Sequence, residues 1–221
     1  VQFLLVDYKG GTAMKVFSQL PHTLGLVTDL DGRQTIRTLK MLSSEMQRRE
    51  QILTGAHVAD IDQYHRAGFK QPLPYLFVII DEFAELRDHF THGLERVMDQ
   101  FISVAQKGRA LGVHLIMAMQ KPEGVVNDRI RANTKCRICF RVERSEDSRN
   151  VIGTADAYFL PAGKPGRAYC RIGNSDDCEQ FQAAREMYTQ SRRERRETVM
   201  EYGIEIPFES ETGETPRRRL R

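Results

Sequence analysis

The chain has 221 residues, 40% of them hydrophobic, which is enough for one substantial core in one large domain, with or without a tail. Its 33 basic and 30 acidic residues nearly cancel to a net charge of +3, so bulk charge gives no reason to expect a nucleic-acid partner. No apolar stretch approaches the roughly 18 residues that a membrane-spanning helix requires, so we expect a soluble chain rather than a membrane protein.

The chain opens with a short buried strand, and a long amphipathic helix follows later. Residues 3–6 are apolar, the strand ends at Asp7, and the sequence Lys-Gly-Gly at 9–11 breaks it into a loop. Over residues 35–54 the pattern predicts a helix laid on a sheet, because apolar side chains recur at helical spacing, at Ile36, Leu39, Leu42, Met46 and Leu53. A short helix and a loop with two prolines follow over residues 55–74.

A buried apolar strand over residues 75–81 ends at two adjacent carboxylates, Asp81 and Glu82. In an open α/β sheet, ligands bind outside the carboxyl ends of the strands. There Asp81 can hold a phosphate-bound Mg²⁺ ion, directly or through water, and Glu82 can polarise the water that attacks the phosphate. The pair indicates a nucleoside triphosphatase. The alternative is a helix N-terminus, where acidic residues are also favourable.

The next predicted strand ends at a glutamine that can join this pair. Residues 93–108 are predicted to form a helix closed by Gly108, and residues 113–119 a buried strand that stops at Gln120. The helix makes the crossover that parallel neighbours need, so we expect Gln120 at the same sheet edge as Asp81. There it can hydrogen-bond the attacking water or the γ-phosphate and couple nucleotide state to loop position.

Arg109 lies between the predicted helix and the strand that follows it. A residue at this edge can reach the nucleotide of a neighbouring subunit, where a guanidinium stabilises transition-state charge in trans. The ordinary interpretation is a cation at the C-terminal end of a helix, where the helix dipole stabilises positive charge. Spacing alone leaves both interpretations open.

The remaining elements complete an alternating pattern of strands and helices. We predict a strand over 136–142, a helix from Ser145, a strand near 168–172 and a helix over 179–196 that grades into a charged tail. This alternation predicts an α/β fold with a largely parallel sheet. Cys136 and Cys139 lie three apart on a strand and face opposite sides, so we expect neither a disulfide nor a shared metal site between them, as in a reduced cytosolic protein.

The chain has no phosphate-binding loop of the form G-x-x-x-x-G-K-[ST]. The Lys-Gly-Gly sequence at 9–11 does not qualify, because the lysine precedes the glycines and no hydroxyl residue follows a Gly-Lys pair. The first residue, Val1, lies within an apolar strand. We therefore expect a fragment of a motor domain whose phosphate-binding segment lies upstream.

Several motifs in a fixed order carry a resemblance to a known family. They are LLVDYKGG, LPHTLGLVTDLDG, EMQRRE, LFVIIDEFAEL, AQKGRALGVHLIMAMQKPEGVVNDRIRANTKCRICFRV, DSRNVIG and PGRAYCRIG. Together they resemble the FtsK/SpoIIIE ATPases over roughly residues 1–185, and most closely the type VII secretion ATPases of the EssC/EccC group.

The resemblance implies a RecA-like P-loop ATPase core over 1–190, followed by a charged helix end and tail or linker over 191–221. It implies ATP and Mg²⁺ as cofactors, with Asp81 and Glu82 as the Walker B pair, Asp81 as the Mg²⁺ residue, Gln120 as the sensor and Arg109 as the arginine finger. It also implies sister ATPase domains or subunits in a hexamer or tandem array, and secreted proteins as substrates. The complex would lie at the cytoplasmic face of a bacterial membrane, anchored by other parts of the full protein.

Two other functions stay open at this stage. The first is a DNA translocase, which shares the same core, although LPHTLGLVTDLDG and PGRAYCRIG are more similar to the secretion group. The second is an interaction module that keeps the fold without hydrolysing nucleotide. The intact Asp81, Glu82, Gln120 and Arg109 argue against this second alternative.

Overall fold

A computed structural model describes residues 1–8, 14–28, 33–86, 90, 94–122, 126, 128–173 and 177–184. The chain divides into two compact units, Val1–Lys135 and Cys136–Arg221. The predicted loop at 9–11 and the predicted tail lie outside the described residues. No helix in the described ranges combines the length and the apolar character that crossing a bilayer demands.

The first unit is built on a four-stranded parallel sheet with the order β2-β1-β3-β4. Its strands are β1 (Gln2–Asp7), β2 (Thr23–Val27), β3 (Leu76–Asp81) and β4 (Val113–Met117). The sequence analysis did not predict β2. The chain passes from β1 outward to β2 and then returns to the other side of β1, so the strand order reverses between β1 and β3. Such a reversal opens a crevice at the carboxyl ends of the two strands.

The helices of this unit are α1 (Arg33–Gly55), α2 (Ile61–Arg66), α3 (Leu94–Leu111) and α4 (Asp128–Asn133). Four of the five apolar positions predicted for the long helix are buried, at Leu39, Leu42, Met46 and Leu53. The fifth prediction is wrong, because Ile36 is 42% exposed. Thr35 is buried instead, and its hydroxyl shares a hydrogen bond of 2.9 Å with the Tyr8 hydroxyl.

The C-terminal end of α3 differs from the prediction. The helix does not close at Gly108 but continues to Leu111, and Gly112 follows with a φ of 69°. Gly108 serves a packing purpose, because a Cβ atom at this position would lie 2.3 Å from the carbonyl oxygen of Val113. Arg109 therefore lies in the last turn of the helix and not in the connection to β4.

The second unit contains a three-stranded antiparallel sheet with the order β5-β6-β7. Its elements are β5 (Cys136–Phe140), α5 (Ser145–Ile152), β6 (Arg167–Ile172) and β7 (Cys178–Gln182). The predicted helix from 179 is wrong over 179–182, because β7 pairs with β6 and this pairing overrides the local preference of the sequence. Residues from 185 onward lie outside the described part.

One face of this second sheet packs on a small core of Cys139, Ile152, Ala157 and Leu160. As the strand alternation predicted, Cys136 is exposed and Cys139 is buried. Burial raises the pKa of the Cys139 thiol to about 11, so this thiol stays protonated at neutral pH.

Candidate active site

The candidate site lies at the carboxyl ends of β1 and β3. The parallel register sets Asp7 directly opposite Asp81, at the point where the strand order reverses. Both residues follow short apolar runs, Leu-Leu-Val before Asp7 and Val-Ile-Ile before Asp81. Asp7 is 1% exposed. Sequence reasoning noted Asp7 only as a strand end, although the same signal, an apolar run ending in aspartate, had singled out Asp81.

Glu82 leaves β3 in an unusual backbone conformation. Its φ of 52° and ψ of 55° lie in the left-handed region, which is uncommon for a residue other than glycine. Its backbone N–H donates to Oδ1 of Asp81 at 3.1 Å, and a short 3-10 helix, Phe83–Glu85, follows. Residues in such conformations persist only where the surrounding structure holds them, and they cluster at functional sites, where the strain is part of the mechanism.

Three hydrogen bonds join the segment after β4 to the end of β3 and to the residues that follow it. The backbone N–H of Gln120 donates to Oε1 of Glu82 at 3.0 Å. The N–H of Phe83 donates to the carbonyl of Ala118, and the N–H of Ala118 donates to the carbonyl of Ile80, both at 2.8 Å. Glu82 is 5% exposed, whereas Gln120 is exposed. The structure therefore brings Asp81, Glu82 and Gln120 to one edge of the sheet.

The oxygen ligands at this edge suit Mg²⁺ bound together with a nucleotide. Adjacent strands lie about 4.8 Å apart, so the carboxylates of Asp7 and Asp81 belong to one small region. Mg²⁺ is usually held by one or two carboxylates, with phosphate oxygens and water completing its ligands. Among the described residues no three histidine, cysteine or acidic side chains form a metal-binding group, so a dedicated all-protein site is not present there.

Arg109 lies away from this edge. It is exposed in the last turn of α3, just before β4 begins, whereas Gln120 follows the end of β4. The five residues of β4 span roughly 17 Å at about 3.3 Å each. Arg109 is thus at the amino edge of the sheet, and the structure does not bring it together with Asp81 and Glu82 of the same chain.

Comparisons with known proteins agree on one family. A sequence model described as the FtsK/SpoIIIE family matches residues 1–73 and 66–124. The type VII secretion system protein EssC of Staphylococcus aureus (strain NCTC 8325 / PS 47) is 41% identical over 189 residues, which cover 83% of this chain and 12% of that protein. The chain therefore spans only about an eighth of the length of this relative.

Two solved structures have the same fold over most of the chain. The cytoplasmic domain of the Thermomonospora curvata type VII secretion ATPase EccC matches with a TM-score of 0.72 and 31% identity, covering 83% of this chain and 21% of that one. The conjugation coupling protein TcpA of pCW3, solved in a monomer form with ATPγS, matches with a TM-score of 0.71 and 28% identity. That match covers 83% of this chain and 52% of TcpA.

Proposed function

Because this chain belongs to the FtsK/SpoIIIE family, we propose that it is part of an ATP-hydrolysing motor domain that drives protein export in a type VII-like secretion system. The expected fold class, a RecA-like P-loop ATPase core, is confirmed by the neighbouring structures. The observation that carries the proposal is the carboxyl edge of the sheet, where Asp81, Glu82 and Gln120 meet in a chain that is 41% identical to EssC.

In the proposed mechanism each residue at this edge has its own role. Asp81, with Asp7 beside it, would hold Mg²⁺, and the ion when bound would supply charge neutralisation at the phosphate oxygens. Glu82 accepts the proton of the attacking water. The backbone of Gln120 holds Oε1 of Glu82, so a movement of the segment after β4 changes the position of the base.

The proposed mechanism needs phosphate contacts from a glycine-rich loop. The 221 residues include no G-x-x-x-x-G-K-[ST] sequence, and the relatives are much longer than this chain. We propose that the full-length protein supplies the loop upstream of Val1. The full-length protein would also supply the membrane anchor that places the motor at the cytoplasmic face.

Arg109 supports a motor that works through contacts between copies or sister domains. It is exposed at the opposite sheet edge from the acidic residues, where a neighbouring domain or subunit can contact it. We propose that a hexamer or a tandem array of ATPase domains brings Arg109 to that nucleotide, and that secreted proteins are the cargo.

DNA transport is the second candidate, and a specific observation favours it. TcpA, a conjugation coupling protein, has nearly the same structural similarity to this chain as the secretion ATPase does. We rank protein export first because the chain is 41% identical to EssC over 189 residues.

A substitution of the proposed base in the full-length protein tests this function. Glu82→Gln keeps the shape of the side chain but cannot accept a proton, so nucleotide binding should persist while hydrolysis is lost. In the host bacterium the same variant should abolish protein export. Glu85→Gln, three residues further in the 3-10 helix, is the control and should leave both activities unchanged.

Two results would contradict the proposal. Normal steady-state hydrolysis by the Glu82→Gln protein would show that Glu82 is not the catalytic base. If the Glu82→Gln variant exported protein normally but lost plasmid transfer, the function would be DNA transport and not protein export.

A further inference from the structure

Arg49, in the C-terminal half of α1, is a buried arginine whose hydrogen bonds use all three guanidinium nitrogens. Its side chain is 1% exposed. Nε donates to Oε1 of Glu45 at 2.8 Å, Nη2 to the carbonyl of Pro74 at 2.8 Å, and Nη1 to the carbonyl of Leu111 at 2.9 Å. A longer contact of 3.4 Å joins Nη1 to the carbonyl of Gly112.

These acceptors include the C-terminal end of α3 and the chain that enters β3. Leu111 is the last residue of α3, and the carbonyl of Gly112 also accepts the N–H of Leu76, the first residue of β3, at 2.8 Å. The last carbonyls of a helix have no partner within the helix, and a cation there is favoured by the helix dipole. Arg49 therefore fixes the end of α3 to the start of β3.

We infer that Arg49 is a positioning residue for Arg109. This inference rests on the proposed role of Arg109 at the nucleotide of a neighbour. Arg109 lies two residues before Leu111, which Arg49 holds, and one residue after Gly108, which packs on the carbonyl of Val113. The backbone is thus fixed on both sides of Arg109, while its side chain is exposed.

A fixed backbone position matters for a side chain that must reach the nucleotide of a neighbouring domain or subunit. A misplacement of about 1 Å in a catalytic arrangement can lower the rate on the order of 100-fold. Removing the guanidinium would also leave the carbonyls of Leu111 and Pro74 without this donor, so the test has to separate positioning from a loss of stability. The two contacts of Nη1 with the end of α3, and the bond of Nη2 to Pro74 before β3, agree with a positioning role.

The neighbouring Arg48 provides a matched control. It binds the same carboxylate, Glu45, through two hydrogen bonds of 2.7 Å, but its side chain is 48% exposed. These bonds from Arg48, with a smaller contribution from Arg49, hold the pKa of Glu45 below its ordinary value. A substitution of Arg48 therefore removes a partner of the same carboxylate, while the bonds from Arg49 to the end of α3 remain.

The test uses the full-length protein with Arg49→Met, Arg49→Lys and the control Arg48→Met. Arg49→Met alone should lose turnover on the order of 100-fold and still bind nucleotide, whereas Arg48→Met should resemble the unmodified protein. Arg49→Lys keeps the charge but not the forked geometry, so its turnover should be intermediate. Each variant is then mixed with Glu82→Gln protein or with Arg109→Ala protein.

The two mixtures separate positioning from a general structural defect. Mixing Arg49→Met with Glu82→Gln should restore hydrolysis, because the Glu82→Gln chain offers a correctly held Arg109 to the intact acidic site of its partner. Mixing Arg49→Met with Arg109→Ala should restore nothing, because neither chain supplies a working arginine. If Arg49→Met does not fold, Arg49→Lys is used in its place in both mixtures, and the same results are expected.

The opposite pattern would overturn the inference. Recovery with Arg109→Ala, no recovery with Glu82→Gln, or normal turnover of the Arg49 variants alone would each show that Arg49 does not act through Arg109. Normal turnover of Arg109→Ala by itself would instead remove the proposed role of Arg109, and the positioning role would fall with it.

Discussion

At the residue scale, Glu82 connects the ends of two strands. Its left-handed backbone costs on the order of 1–3 kcal/mol and persists because hydrogen bonds on both sides over-determine it. One of these bonds joins its own N–H to Asp81, and another joins its carboxylate to the N–H of Gln120. A displacement of Gln120 would therefore change the position of the proposed base directly.

The proposed role of Arg109 leads to a prediction about mixed assemblies of the full-length protein. Arg109→Ala and Glu82→Gln should each be inactive alone, since the first lacks the arginine and the second lacks the base. Their mixture should regain hydrolysis, because some interfaces then pair an intact acidic site with an intact arginine. An arginine supplied in trans contributes on the order of 10³ to 10⁵ in rate, so steady-state hydrolysis measures the effect easily.

Lys107 is the control for this experiment, because it is an exposed cation in the same helix two residues earlier. Lys107→Ala should keep normal turnover. If Arg109 is only a helix-end cation, its loss costs about 0.3 to 1 kcal/mol of stability and leaves the rate unchanged. Normal turnover by assembled Arg109→Ala, or no recovery although mixed oligomers form, would exclude the role in trans.

At the scale of elements, the contact between α3 and β4 decides where Arg109 lies. Gly108 allows the helix to approach the strand so closely that no side chain fits between them. Gly112 then ends the helix with a positive φ, and a Cβ atom there would lie 2.2 Å from Cδ1 of Ile61. Two glycines with different functions therefore fix the last turn of α3.

This contact predicts that Gly108→Ala destabilises the first unit. A Cβ atom at 2.3 Å from a backbone oxygen forces the helix and strand apart, which typically costs about 1–3 kcal/mol. The cost should exceed the gain of about 1 kcal/mol that alanine brings to a helix interior. Urea denaturation measures the resulting fall in the free energy of unfolding.

Gly55, the last residue of α1, provides the comparison. A Cβ atom there meets nothing within 4 Å, so Gly55→Ala should be neutral or stabilise by up to about 1 kcal/mol. If Gly108→Ala were as stable as Gly55→Ala, the close packing of α3 on β4 would be wrong.

At the scale of the whole molecule, the first unit carries acidic and basic groups at opposite edges of one sheet. Asp7 and Asp81 are the last residues of β1 and β3, Glu82 follows β3, and Arg109 precedes the amino end of β4. A head-to-tail arrangement of such units brings one edge to the other, and it closes into a ring or continues as an array. This polarity is the physical basis for the proposed sister domains or subunits.

The isolated 221-residue chain should bind ATP weakly or not at all. The dominant phosphate contacts in this class come from a glycine-rich loop and a helix N-terminus, and the sequence contains no such loop. The carboxylates of the described site repel the phosphates unless Mg²⁺ is present. Calorimetry with Mg-ATP tests this, with the full-length protein as the positive control, and micromolar affinity of the isolated chain would contradict it.

Local sequence patterns were sufficient to predict β1, β3 and β4 and the polar residues at or after their ends. The apolar runs before Asp7 and Asp81, and the run before Gln120, are local signals of strands. Because consecutive strands joined by a helix pair in parallel, the meeting of Asp81, Glu82 and Gln120 could also be predicted. The α/β fold class followed from the same alternation, and the motifs gave the family.

Other features depend on contacts between distant segments and were visible only in the fold. The edge strand β2 and the strand β7 are held by pairing with neighbours, which is invisible in a short window of sequence. Likewise, the partnership of Asp7 with Asp81 depends on strand register, and the end of α3 depends on Gly108 against Val113 and on the guanidinium of Arg49. Short-range propensities differ by less than 1 kcal/mol per residue, so long-range hydrogen bonds and packing fix these positions.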